Sequence, residues 1–292
     1  MSGLRRLIKY HEKRLLRCEV VEPYSSLEII TRRKLKIPFD IWKRPEKWPS
    51  RLSVHKIKVL DQCFRRRATH YPLQYILGVW HFAELSVKVK PPVLIPRPET
   101  PQIVDICQSL IEDKTKCHFL EIGTGSGVIS CLLLSRDPTI TGEGVDISSK
   151  CTRLTSQNLT RTLRGPWQHR YKLFHTDFSV HKYTQTYDFV VSNPPYIGQA
   201  EYIDLARQVR MYESRRALLS DDDGLHTAWS IVVWSRDAVR CGGFVAMELS
   251  DGLICRLEMM GGRLEAMGFR VERVYRDCYG ERRFVVLRRV GE

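Results

Sequence analysis

At 292 residues, 43% hydrophobic and 27% charged, the chain is long enough for one large domain and one smaller one, each with its own core. Its longest apolar runs, such as residues 128–134, fall far short of the roughly 20 that span a bilayer, and its nine cysteines stand singly with no C-x-x-C pair, which excludes a membrane span and gives no sign of a zinc site or a disulfide framework. The net charge of +14 is concentrated, for residues 1–90 carry 21 Lys or Arg against 8 Asp or Glu, a net +13 that leaves +1 for the remainder; a basic first third suits a polyanion or an acidic protein surface.

Residues 1–19 read as a basic leader. The first 17, MSGLRRLIKYHEKRLLR, hold six basic residues and one acid, and Leu4, Leu7, Ile8 and Leu15 share one helical face. That pattern fits a mitochondrial targeting helix, and it also fits a permanent basic helix on the folded protein; a mitochondrial location is the expectation, a cytoplasmic one otherwise. Residues 20–76 read as a small domain of short helices broken by Pro38, Pro45, Pro49 and Pro72, with 54–67 the clearest amphipathic stretch. Residues 77–98 hold a hairpin, VWHFAELSVKV, turning near Ala83 and Glu84. The proline-rich KPPVLIPRPETP that follows cannot continue a sheet and reads as a linker or a loop over the site.

From residue 99 to 292 the pattern alternates helix and strand. Thr100 can cap a helix with Pro101 at its first position and Ile103, Val104, Cys107, Leu110 and Ile111 as its buried stripe. Strands are predicted at 118–123, 142–147, 171–177, 187–193 and 243–249, and helices from Ser126, over 148–163, 225–239 and 252–267. Strands near 270–276 and 283–288 close the chain as antiparallel neighbours. The alternation gives an α/β domain with a parallel sheet covered on both faces and an antiparallel hairpin at its end.

The first βα turn, LEIGTGSGV, has glycines at 123, 125 and 127, with Val128 where a dinucleotide fingerprint carries its third glycine. Alternate glycines let a ligand lie against bare backbone, and Glu121 places a carboxylate beside them. A diphosphate would be repelled there and a cationic amino-acid moiety attracted, which favours S-adenosylmethionine over NAD. Asp146 ends the next strand, where a carboxylate can accept both hydroxyls of a ribose, and Asp177 and Phe178 end the third, fit to bond an adenine amine and cover its ring. Asn193, Pro194, Pro195 and Tyr196 end the fourth. A planar amide or amino nitrogen is a poor nucleophile because its lone pair is delocalised; acceptors at the Asn193 side chain and the Pro194 carbonyl would hold its N–H groups and aim that lone pair, with Tyr196 stacked on the plane. Such chemistry needs no metal.

LEIGTGSG followed by VSNPPY resembles the class I, Rossmann-like S-adenosylmethionine-dependent methyltransferases that act on planar nitrogen. With PLQYILG, LIPRPET, VRMYESRRAL, DDGL and RDCYGERRFV, the chain is similar over roughly residues 72–288 to the HemK/PrmC family of protein-glutamine methyltransferases. The resemblance implies methylation of the glutamine amide in the Gly-Gly-Gln motif of a peptide-chain release factor, in support of translation termination, with S-adenosylmethionine as donor. Gly123, Thr124, Gly125, Ser126 and Gly127 would line its methionine part, Asp146 its ribose and Phe178 its adenine. Asn193, Pro194, Pro195 and Tyr196 would hold the target amide, Arg97 and Glu99 would close the site from the linker, and residues 20–76 would dock the release factor. Two departures stand out: Pro101 follows RPET where the family has an acid, and the acid before the glycine loop is Glu121 rather than Asp. The competing class is a nucleic-acid methyltransferase acting on an adenine or guanine amine, with Trp42, Trp48, Phe64 and Trp80 among the basic residues of the first third. A monomer is expected.

Overall fold

The computed structural model describes residues 3–49, 51–111, 116–163 and 165–291. The chain forms two compact units, one of Met1–Trp80 with Ala206–Tyr212, the other of His81–Leu205 with Glu213–Glu292.

The first unit is helical. It comprises α1 (Gly3–Arg17), α2 (Pro23–Leu35), α3 (Phe39–Trp42), α4 (Val54–Arg67) and α5 (Leu73–Leu77). Pro23 opens α2, where its missing N–H has no partner to lose, and Lys36 closes it in the left-handed region at φ 56°. Ser53 caps α4 by accepting the Lys56 N–H at 3.3 Å. Leu4, Leu15, Leu27, Ile30, Leu60 and Phe64 form the core. The apolar stripe of the basic segment is thus part of this core, and His11 between its leucines is fully buried, with Nε2 2.8 Å from the Asp61 carboxylate on α4. The buried Arg67 guanidinium reaches Ser26 Oγ at 2.9 Å, the Val21 carbonyl at 3.0 Å and Gln208 Oε1 at 3.3 Å. Together with the Tyr212 hydroxyl, which donates to the Thr69 carbonyl at 2.7 Å, it holds the 206–212 segment within this unit. A continuous domain from 99 to 292 therefore has an excursion that belongs with the helices.

The division of the two units falls in a hairpin, β1 (Val79–Phe82) and β2 (Leu85–Lys88), turning at Ala83 and Glu84 as its sequence predicts. There follow α6 (Pro101–Ile111), β3 (His118–Ile122), α7 (Val128–Arg136), β4 (Thr141–Asp146), α8 (Ser149–Thr162), β5 (Tyr171–His175), β6 (Tyr187–Ser192), α9 (Gln199–Asp204), α10 (Arg207–Tyr212), α11 (Leu225–Ala238), β7 (Val239–Glu248), α12 (Asp251–Met259), α13 (Gly261–Ala266), β8 (Phe269–Arg276) and β9 (Arg282–Arg289). The seven-stranded sheet runs β5-β4-β3-β6-β7-β9-β8. β3 to β7 are parallel, while β9 lies antiparallel between β7 and β8. One face carries the core of α6, α7 and α8, including Ile103, Leu132 and Leu159. The other carries that of α11, α12 and α13, including Ile231, Ile254 and Leu264.

Two predicted helices differ in extent. The one placed from Ser126 begins at Val128, because Gly127 still has φ 78°, and the one placed over 252–267 breaks at Met260 ahead of Gly261 and Gly262. The sheet reverses its order between β3 and β6. In open α/β sheets, ligand crevices lie at that switch point, outside the carboxyl ends of the strands.

Candidate functional site: a cavity at the switch point

The glycine loop follows β3 and Asn-Pro-Pro follows β6, so the topology sets them side by side. Gly123, Gly125 and Gly127 all have positive φ, at 77°, 54° and 78°, a conformation that a Cβ makes costly. At Gly127 a Cβ would also stand 2.6 Å from the Thr155 methyl. The loop is tied down from α8: Asn158, fully buried, donates to the Ser126 carbonyl at 2.8 Å and also exchanges hydrogen bonds with both backbone groups of Lys88. Thr155 donates to Thr124 Oγ1 at 3.2 Å.

A cavity of about 460 Å³ opens beside this loop. Of the residues nominated from sequence, Gly123, Gly125, Asp146, Asp177, Phe178, Asn193, Pro194 and Pro195 line it. Asp146 accepts the Gly125 N–H at 2.9 Å and the Ser148 N–H at 2.8 Å, one on each oxygen. Burial nevertheless raises its carboxyl above the ordinary value, the two backbone donors opposing the rise. Asp177 Oδ1 takes the Ser179 N–H at 2.9 Å, which orders the turn presenting Phe178 to the cavity.

Thr124, Ser126 and Gly127 lie behind the lining and hold the loop to α8. Glu121 also lies away from it, contrary to the expectation that it would meet a cationic ligand. Strand alternation turns its side chain to the same face as Phe119, where the Ser130 N–H (3.2 Å), the Ser130 hydroxyl and the Tyr171 hydroxyl (3.4 Å) all donate to one oxygen. Complete burial pushes its carboxyl up to about 8, so that it carries a proton at neutral pH. Tyr196 packs on the core next to the cavity, its phenol pushed up to about 12 by burial.

The linker forms one wall, through Pro92, Val93 and Leu94. It is held by Glu213, a buried carboxylate that accepts the Ile95 N–H and an Arg97 N–H, each at 3.0 Å, while the Ser214 N–H donates to the Pro92 carbonyl at 2.8 Å. Arg97 thus anchors the loop rather than facing the cavity, and Glu99 sits beside Tyr196 and a buried acid, Glu248. Glu213, the 214–219 wall, His226, Thr227 and Glu248 carry no local signal in the sequence that ties them to the site, although VRMYESRRAL and DDGL belong to the family resemblance.

A parallel sheet with a glycine loop and Asn-Pro-Pro at its switch point defines a methyltransferase, and the family model described as the methyltransferase small domain matches residues 105–229. A release factor glutamine methyltransferase of Nitratidesulfovibrio vulgaris is 31% identical over 99% of this chain and 96% of its own. One of Gloeobacter violaceus is 34% identical over 70% of each chain, and the human MTRF1L release factor glutamine methyltransferase is 30% identical over 85% of this chain and 76% of its own. The chain belongs to the release factor glutamine methyltransferases.

Proposed function

We infer that the protein transfers a methyl group from S-adenosylmethionine to the side-chain amide nitrogen of the glutamine in the Gly-Gly-Gln motif of a peptide-chain release factor. The observation that carries this reading is Asn193-Pro194-Pro195 lining the same cavity as the glycine loop and Asp146. The cavity suits the donor in size, for small-ligand pockets run from about 300 to 1,000 Å³. Its bare loop backbone suits the amino-acid part, Asp146 the ribose hydroxyls, and Phe178 a flat base. Bound there, the donor supplies an electrophilic methyl on a positively charged sulfur. The Asn193 side-chain oxygen and the Pro194 carbonyl each accept an N–H of the target amide, and the proline pair keeps those acceptors from rotating away.

We assign release-factor docking to the helical unit, where the excess positive charge lies, and a mitochondrial location to the protein from its basic amphipathic first helix. A fusion of residues 1–19 to a reporter tests the second assignment. The first experiment is transfer of labelled methyl to a release factor, beside its Gln→Ala variant in Gly-Gly-Gln and beside total RNA. Label on the intact factor alone, lost with Asn193→Ala, supports the reading. Label on RNA and none on the factor would show the basic helices to be a nucleic-acid face and sink it.

A further inference from the structure

We propose that Glu248 is a positioning residue for this transfer, its carboxylate taking an Nδ2–H of Asn193 so that Oδ1 is the end of that amide presented to the cavity. The inference rests on the proposed function, which makes Asn193 the acceptor. Its geometric basis is independent of that function. β6 and β7 run parallel in register, with Ser192 beside Met247, so the next step along the pair sets Asn193 beside Glu248. Glu248 is fully buried and neither carboxylate oxygen makes a hydrogen bond of full geometry; the buried Thr100 hydroxyl is likewise unpartnered. The donors placed to favour its ionised form are Thr100 and Asn193. A native protein rarely leaves a buried carboxylate unsatisfied without a use for it.

The chemical need is specific. An asparagine amide carries an acceptor at one end and a donor at the other, and a half-turn about its last side-chain bond exchanges them. With Nδ2 toward the cavity, N–H would face the N–H of the target amide and oppose binding. An anion behind Asn193 accepts only the N–H end, which leaves Oδ1 facing forward. Protonation of that anion creates an O–H that competes for Oδ1 and permits the reversed amide. The groups facing Glu248 are Glu99 and Thr100 of the linker, Asn193 and Tyr196 after β6, and Arg283 of β9, which is itself bonded to Asp277. Burial is the largest influence on its carboxyl and pushes it up to about 7, with Glu99 adding to the rise and Arg283 opposing it.

The test follows the Asn193 side-chain amide by 15N NMR, assigned through its absence in Asn193→Ala, in the wild type, Glu248→Ala and Glu248→Gln without any ligand. Single-turnover transfer to the release factor is measured on the same proteins. The wild-type amide resonance should titrate with a midpoint near 7 and Glu248→Ala should not titrate. Transfer should slow about 30-fold in Glu248→Ala with KM for the factor within about threefold. Glu248→Gln, whose side-chain oxygen still accepts the N–H, should stay within about fivefold and lose the decline in rate on the acid side of 7. Glu248→Ala combined with Asn193→Ala should be no slower than Asn193→Ala alone. An Asn193 resonance that ignores pH, or a full Glu248→Ala effect on top of Asn193→Ala, would overturn the proposal. Should the wild type methylate no release factor, the proposed function fails, and the resonance still decides the positioning. If Glu248→Ala does not fold, the Glu248→Gln pH profile and resonance carry the decision.

Discussion

Two carboxyl groups on neighbouring strands of the sheet divide binding from support. Asp146 spends both oxygens on backbone N–H groups and still lines the cavity. Asp146→Asn keeps one acceptor but turns an N–H₂ toward a backbone N–H, and breaking such a buried charged hydrogen bond costs about 1.5–3 kcal/mol. The loop bearing Gly125 should loosen with it, so affinity for S-adenosylhomocysteine, read by calorimetry, should fall about 10- to 100-fold at ~1.4 kcal/mol per tenfold; unchanged affinity would remove Asp146 from the binding site. Glu121 differs in that it is deep, neutral at pH 7 and bonded only to its own fold. Its folded value of about 8 lies above its ordinary 4.5, so the folded state holds the proton more tightly than the unfolded chain. The stability this gives is complete below about 4.5 and is lost as pH rises toward 8. Glu121→Gln, which cannot ionise, should be more stable than the wild type at pH 9 by on the order of 5 kcal/mol, at ~1.4 kcal/mol per pKa unit over the rise from 4.5 to about 8. Near pH 4.5 the two should converge, and equal urea midpoints at both pH values would refute the assignment of a buried proton.

At the scale of elements, α1 is the case where sequence and structure answer different questions. Its amphipathic stripe is real in both, and the stripe alone does not distinguish a targeting helix from one that packs; burial of Leu4 and Leu15 against α2 and α4 shows what it does in the fold. Leu15→Ala should cost the helical unit about 2–5 kcal/mol, the range for emptying a packed leucine site, read as a lower urea midpoint with Leu16→Ala, at an exposed position, as the control. His11 adds a pH dependence. Burial lowers its imidazole below the ordinary 6.5 despite Asp61, so the unfolded chain binds the proton more tightly, and the stability is complete above 6.5 and falls as pH drops below it. Amide exchange in α1 should therefore quicken between pH 7.5 and 5.5 relative to α4, after correction for intrinsic rates; His11→Gln should remove most of that difference.

The strands and the Asn-Pro-Pro turn were legible because their signals are local: an apolar run, a glycine loop, a proline stop. The linker was legible as a loop by its prolines, and its function as a wall only by position. Its anchor pairs Arg97 with Glu213, and the acid behind Asn193 arrives from β7, both partners that only folding brings near. The break of α12 from α13 is marked by Gly261-Gly262 but lies inside a continuous apolar pattern. The return of 206–212 to the helical unit depends on Arg67, Thr69 and Tyr71, more than 130 residues earlier.

At the scale of the whole molecule, charge and chemistry occupy different units. The net +13 of residues 1–90 belongs almost wholly to the helical unit, whereas every residue lining the cavity belongs to the other. If the helices capture the release factor by charge, capture and transfer are separable. Lys9, Lys13 and Arg17 are exposed and spaced by four along α1, one above another on the same side. Replacing all three by Glu reverses that stripe without touching Leu4 or Leu15. KM for an intact release factor should then rise about tenfold at 0.1 M salt, where the screening length is about 10 Å, and differ little from the wild type at 1 M, where it is about 3 Å. Transfer to a short Gly-Gly-Gln peptide, which offers nothing for the helices to hold, should be the same for both proteins at either salt concentration. A variant that loses peptide and factor equally would show a damaged fold. One that loses neither would place the docking surface elsewhere and leave the basic helix to a different partner.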